Sequence, residues 1–182
     1  METMCGNGSE EIRNQSVSII KDEQDMFLEL EDRSSRSKNI LIYNVDESQS
    51  KVTNERIDHD KANTREVLTK LEVGATEFKV LRVGRGNSSS DRPRPLKVIF
   101  QNNTIVIACL KNKHKLKPSS ILIKSDLTQM QRNHLKKLYE ELDRRRRNGE
   151  SNLAIRYKNG NPFISKVKEQ NHQSPKNSQM RT

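Results

Sequence analysis

Cationic side chains supply most of the chemistry this sequence could perform. Lys111, Lys113, Lys115 and Lys117 alternate with other residues, and Arg144 to Arg147 are consecutive. Arg36, Lys38 and Asn39 lead into an apolar run that starts at Ile40. Arg92 and Arg94 bracket Pro93, with Lys97 just beyond, and Arg132 and Lys136 are four residues apart. Clustered guanidinium and ammonium groups hold polyanions, phosphates above all. Tyr43 and Tyr157 lie among them, and a phenol ring can stack a base. The other candidate sets are poorer. Asp58-His59-Asp60 has two carboxylates and an imidazole, but three consecutive residues without a further ligand read as helix-start caps. Gly84-Arg85-Gly86 is not followed by the Gly-Lys-Ser/Thr of a phosphate loop. Cys109 sits in an apolar run and reads as core. No Ser/His/Asp or Cys/His nucleophilic set is recognisable, so neither an enzyme nor a cofactor nor a metal site is expected.

The balance of charge agrees. The chain of 182 residues holds 34 Lys and Arg against 24 Asp and Glu, for a net charge of +10. Residues 1–37 carry 4 basic and 9 acidic side chains, and residues 38–182 the remaining 30 and 15. An acidic segment therefore precedes a strongly basic one, as two physical units would. Only 31% of residues are apolar or aromatic, so the core must be small. No run reaches the roughly 18 apolar residues of a membrane span. The first eleven residues have no apolar h-region, so no signal peptide and no membrane partner are expected. Two cysteines make no disulfide framework, which favours a reducing, intracellular compartment.

These residues need elements to hold them. Ile12, Ile19 and Met26 recur every seven residues with Leu30 after them, a weak helical stripe over residues 10–32 that ends in a polar linker at Arg33-Ser-Ser-Arg-Ser-Lys38. Residues 40–45 form a continuous β-prone run, the mark of a central strand. Val67, Leu68 and Leu71 share a helical face over residues 60–71, with Gly74 where a cap belongs. Residues 78–83 read as a strand, 84–94 as a loop, and Leu96, Val98 and Phe100 as the apolar side of another strand. Residues 103–110 suit either a strand or a short helix, and residues 121–124 suit a strand. Thr128 and Gln131 then spell a capping box ahead of a helix lined by Leu135, Leu138, Tyr139 and Leu142. Asn159-Gly160 marks a hairpin between two short strands. Residues 169–182 are polar and read as a disordered tail.

The order strand, helix, strand, strand, helix, strand is the split-βαβ arrangement. The expected fold is therefore α+β: an RRM-like, ferredoxin-like βαββαβ sandwich over residues 38–125, then a small helix-plus-hairpin domain over 126–167. An acidic segment with a short helix and linker (1–37) precedes them, and a tail (168–182) follows. In RNA-recognition motifs the sheet face away from the helices binds RNA through aromatics flanked by Lys and Arg. The third strand here places Pro95 and Lys97 where the stacking aromatics would stand, so phosphate contacts must carry most of the affinity.

The segments Arg36-Ser-Lys-Asn-Ile-Leu-Ile42, Arg92-Pro-Arg-Pro-Leu-Lys-Val-Ile-Phe100 and Asp126-Leu-Thr-Gln-Met-Gln-Arg132 carry a family resemblance through their order. Over about residues 36–166 the chain resembles the RNA-binding first-frame protein of LINE-type non-LTR retrotransposons. In that family a coiled coil precedes an RRM-like domain and a small C-terminal domain. The helix and Asn-Gly hairpin are also similar to the C-terminal domain of the baculovirus few-polyhedra protein. The resemblance implies a non-enzymatic, nucleic-acid chaperone-like protein of mobile-element origin. Its partner would be single-stranded RNA or DNA within a cytoplasmic ribonucleoprotein or in the nucleus. It would use a basic surface shared by both domains, and self-association would run through the N-terminal helix. The contact residues then expected are Arg36, Lys38, Asn39, Tyr43, Arg92, Arg94, Lys97, Arg132, Lys136 and Tyr157. No small-molecule substrate is expected. Arg144 to Arg147 read instead as a salt-laced helix end, paired i,i+4 with Glu140, Glu141 and Asp143. The alternative is a protein-interaction module whose basic surface is incidental.

Overall fold

The computed structural model describes residues 7–74, 77–85, 92–158 and 160–167, with side chains from residue 21 onward. The chain is α+β and divides into two compact units, one up to Thr128 and the other from Gln129. The expected tail from residue 168, and Gly86 to Asp91 of the expected loop, lie outside the described residues.

The first unit opens with α1 (Asn7–Arg36) and continues β1 (Asn39–Tyr43), α2 (Thr53–Lys70), β2 (Phe78–Arg82), β3 (Leu96–Phe100), α3 (Asn103–Asn112) and β4 (Leu122–Ser125). The four strands form one antiparallel sheet in the order β2-β3-β1-β4. Alternation along each strand sends one set of side chains to the helices and the other to the opposite face. Ile40 and Ile42, Leu96, Val98 and Phe100, and Ile123 take the inner positions. They close a core with Val67, Leu68 and Leu71 of α2 and Val106 and Cys109 of α3. Cys109 is fully buried, and burial pushes its thiol up to about 11, as an inert core residue requires.

Three boundaries differ from the sequence expectation, each for a local reason. α1 does not stop at a linker: it continues to Arg36, because Arg33 pairs with Glu29 at 2.6 Å and Arg36 with Asp32 at 2.7 Å, both one turn back. α2 starts at Thr53 rather than Asp60, so the Asp58-His-Asp60 set lies inside the helix and is no cap. Its end is made by Glu72, not Gly74. Glu72 takes φ +55°, and the Val73 and Glu72 amides return to the Leu68 and Thr69 carbonyls at 3.0 and 2.9 Å. The ambiguous segment is helical. Asn102 caps it by accepting the Ile105 amide at 3.3 Å.

The second unit is α4 (Gln129–Arg147) with a two-stranded antiparallel hairpin, β5 (Leu153–Lys158) and β6 (Asn161–Lys166). Leu142 and Leu153 are its buried residues. α4 ends in the same way as α2, with Gly149 at φ +90° and the Glu150 amide returning to the Arg145 carbonyl at 3.1 Å. Nothing lies within 4 Å of where a Cβ on Gly149 would sit, so a side chain there meets only backbone strain. Gly149→Ala is expected to cost about 1–2 kcal/mol, read as a lower urea midpoint of the second unit by far-UV circular dichroism.

Candidate nucleic-acid interface

The sheet face away from the helices is set by register. Leu81, Lys97, Leu41 and Lys124 are successive cross-strand neighbours, Lys79 lies opposite Ile99, and Tyr43 opposite Leu122. The face is thus a checkerboard of aliphatic and ammonium groups. Lys79, Leu81, Leu122 and Lys124 on the two edge strands are exposed, and the middle strands are half-buried. Tyr43 is the one aromatic at these positions. Its ring is not bare: the Lys124 ammonium lies 5.3 Å from the ring centroid, a cation–π contact.

At the end of this face three of the expected contact residues converge on one carboxylate. Lys97 Nζ is 2.8 Å from Asp126 Oδ2, Asn39 Nδ2 donates to the same oxygen at 3.1 Å, and Arg36 donates to Oδ1 at 3.0 Å. Asp126 is only 7% exposed. Burial alone would raise its carboxyl, but Lys97, Asn39 and Arg36 hold it below its ordinary value. Asn39 is 3% exposed, and its Oδ1 has no hydrogen-bond partner among the described residues. Its expected place on an accessible surface is therefore corrected: Asn39 is an internal partner of Asp126. Beside it, Thr128 donates its hydroxyl to Glu29 at 2.6 Å, and that bond, with Arg33, holds the Glu29 carboxyl low.

Arg94 is also engaged. Its guanidinium and backbone amide both bond Glu47, with Nη2 at 2.5 Å from Oε2 and the amide nitrogen at 2.7 Å from Oε1. This ties the segment entering β3 to the segment leaving β1. Arg82 makes the larger clamp. Its Nε and Nη2 grip Asp60, the latter at 2.6 Å, while the remaining donors reach the carbonyls of Val45 at 2.7 Å, Arg94 at 2.8 Å and Asp46 at 2.7 Å. All five guanidinium protons are used, and the side chain is 7% exposed. Arg82, Asp126 and Glu47 were not among the expected site residues. Arg82 had a signal: it falls in phase with Phe78 and Val80, where a strand should turn an apolar residue inward.

Of the other expected residues in the first unit, Lys38 and Arg92 are exposed. In the second unit Arg132 and Lys136 are exposed on α4. Arg132 bonds Gln129 at 3.0 Å, and Lys136 lies 3.9 Å from Glu140. The four arginines behave largely as a helix end. Arg144 and Arg145 share Glu141 at 2.8 and 2.7 Å, and Arg146 caps the Leu153 carbonyl at 2.9 Å. Arg144 thus takes Glu141, three residues back, rather than the expected Glu140. The two guanidiniums hold the Glu141 carboxyl down at about 2. Tyr157 shares a hairpin side with buried Leu153, the side turned to α4. Tyr157 is nonetheless 61% exposed, and the burial that remains, with the neighbouring Tyr139 phenol, pushes its hydroxyl up.

No group of three or more His, Cys, Asp or Glu that could hold a metal ion occurs among the described residues. None of the described helices is long and apolar enough to cross a membrane. No family model and no curated protein matches the chain.

Proposed function

We propose that the chain is a non-enzymatic binder of single-stranded RNA or DNA, built as an RRM-like βαββαβ unit followed by a small basic unit. One observation carries the reading. The sheet face opposite the helices presents exposed Lys79 and Lys124 by register, and its acidic neighbour, Asp126, is already neutralised by Lys97 between them. Lys38 and Arg92 add exposed cations to the same unit, and Arg132 and Lys136 to the other. The mobile-element origin suggested by the sequence resemblance belongs to this proposal, as does weak pairing of α1 with a second copy. Met26, Phe27 and Leu30 leave an exposed apolar stripe there.

With a single aromatic on the sheet face, phosphate contacts dominate, so binding is sequence-tolerant and salt-dependent. Each neutralised phosphate on a single strand adds about −0.7 to the slope of log affinity against log salt. The test is filter binding of an unstructured oligonucleotide at several salt concentrations. Wild type should weaken steeply with salt, and the Lys79→Gln/Lys124→Gln variant should bind less tightly with a slope flatter by about 1.4.

A second reading rests on Leu81 and Leu122, which are 44% and 53% exposed on the same face. They suit a protein partner with an apolar centre and an acidic rim. Affinity that is flat with salt, or unchanged in the lysine variant, selects that reading.

A further inference from the structure

The hairpin of the second unit has two sides, and the register separates them cleanly. Leu153, Ile155 and Tyr157, with Lys166, Ile164 and Pro162 across from them, form the side that buries Leu153 toward α4. Ala154, Arg156 and Lys158, with Ser165, Phe163 and Asn161 across from them, form the outward side. Phe163 is 41% exposed there, directly opposite Arg156, and Arg156, Lys158 and Asn161 are all exposed. Directly opposed residues bring their Cβ atoms about 4.5–5.5 Å apart, so the phenyl ring and the guanidinium are neighbours.

We infer that this outward face is a stacking site for one unpaired nucleobase. Phe163 meets the ring, and Arg156 and Lys158 meet the flanking phosphates. The inference deepens the nucleic-acid reading and rests on it. Three features point to this occupant rather than to another apolar surface. The segment 151–167 contains Arg156, Lys158 and Lys166 and no Asp or Glu, so its field is purely cationic. The four carboxylates of residues 129–150, Glu140, Glu141, Asp143 and Glu150, all lie outside the hairpin strands. The neighbours of Phe163 on this side include the small Ala154 and Ser165, and Phe163 is 41% exposed beside them. A polyanion with planar groups satisfies both the charge and the ring. Tyr157, the aromatic singled out by sequence, is on the other side and is itself 61% exposed, so a change at Phe163 alone separates the two rings.

The chain has no tryptophan, so Phe163→Trp in the full chain introduces a single indole at the site. Titration with an unstructured RNA oligomer should quench its emission, with the same midpoint as filter binding. An oligomer of equal length with abasic positions should quench much less. Phe163→Leu keeps an apolar side chain but removes the ring. It should weaken binding about 5- to 150-fold, the range expected for one stacked base, with the salt slope unchanged. Arg156→Gln should flatten that slope by about 0.7. The inference is overturned if the oligomer binds on filters while the indole emission stays constant, or if abasic and normal oligomers quench alike. It is also overturned if the emission follows protein concentration rather than RNA, which makes the face a contact between copies. Absence of binding on filters by wild type removes the nucleic-acid reading itself, a result distinct from all of these.

Discussion

Arg82→Met should lower the stability of the first unit by about 3–5 kcal/mol, the cost of breaking a buried ion pair from one side. Asp60 would be left at 7% exposure without the guanidinium that grips it. The carbonyls of Val45, Asp46 and Arg94 would each lose a charged donor. These groups belong to the segment leaving β1, the middle of α2 and the approach to β3, so the loss loosens three elements at once. Urea unfolding followed by far-UV circular dichroism measures the change. The double variant Asp60→Leu/Arg82→Met should recover part of the loss, because it removes the stranded carboxylate. A loss under about 1 kcal/mol in the single variant would place Arg82 with ordinary surface ion pairs.

Asp126→Asn is expected to move stability and affinity in opposite directions. The substitution removes the charge that holds Lys97 and Arg36, and an amide cannot serve all three of its partners. Stability should fall by about 1–3 kcal/mol. Arg36 keeps its bond to Asp32, so Lys97 is the cation released to phosphates, and the salt slope of RNA binding should steepen by about 0.7, the value for one phosphate. Between 50 and 200 mM salt that amounts to about a 2.6-fold greater loss of affinity. Acid should have the same effect on the fold. The Asp126 carboxyl is held below its ordinary value in the folded chain, so its stabilisation is complete above about pH 4 and is lost as pH falls through the folded value. A variant that loses stability with no change in salt slope would show that Lys97 never faces the nucleic acid.

Most of the sheet and core was legible because burial imposes a period. Leu96, Val98 and Phe100, and Val67, Leu68 and Leu71 were read from spacing, and Ile40 and Ile42 as part of a continuous β-prone run, and all are buried. The hairpin was legible because Asn159-Gly160 admits few conformations. The pairing of charges was not. Arg36, Lys97 and Arg94 look like free cations in one dimension. Asp126 lies 90 residues from Arg36, and Glu47 lies 47 residues from Arg94. Nothing local in the sequence distinguishes an arginine aimed at solvent from one aimed at a distant carboxylate. The end of α1 was missed for a related reason. Serines and arginines suggest a linker by composition, but the i,i+4 pairs with Glu29 and Asp32 restore the helix. The hairpin aromatics show the limit of periodicity. Alternation puts Tyr157 and Phe163 on opposite sides, but it does not show that both remain exposed, at 61% and 41%.

The two anchors of α1 also fix a rotational phase. Glu29 and Arg36, which reach Thr128 and Asp126, are seven residues apart and so share one side of the helix to within about 20°. At about 100° per residue, Met26, Phe27 and Leu30 centre on a direction roughly 120° around the axis from that side. The helix is therefore indexed: its apolar stripe is turned away from the sheet margin that grips it. Inserting one residue between position 30 and position 36 would break the index, because Glu29 and Arg36 would then differ by about 80° and no longer reach their partners together. Inserting residues before position 26 would leave it intact. Spacing within those last two turns is thus under a constraint that the helix upstream of them does not share.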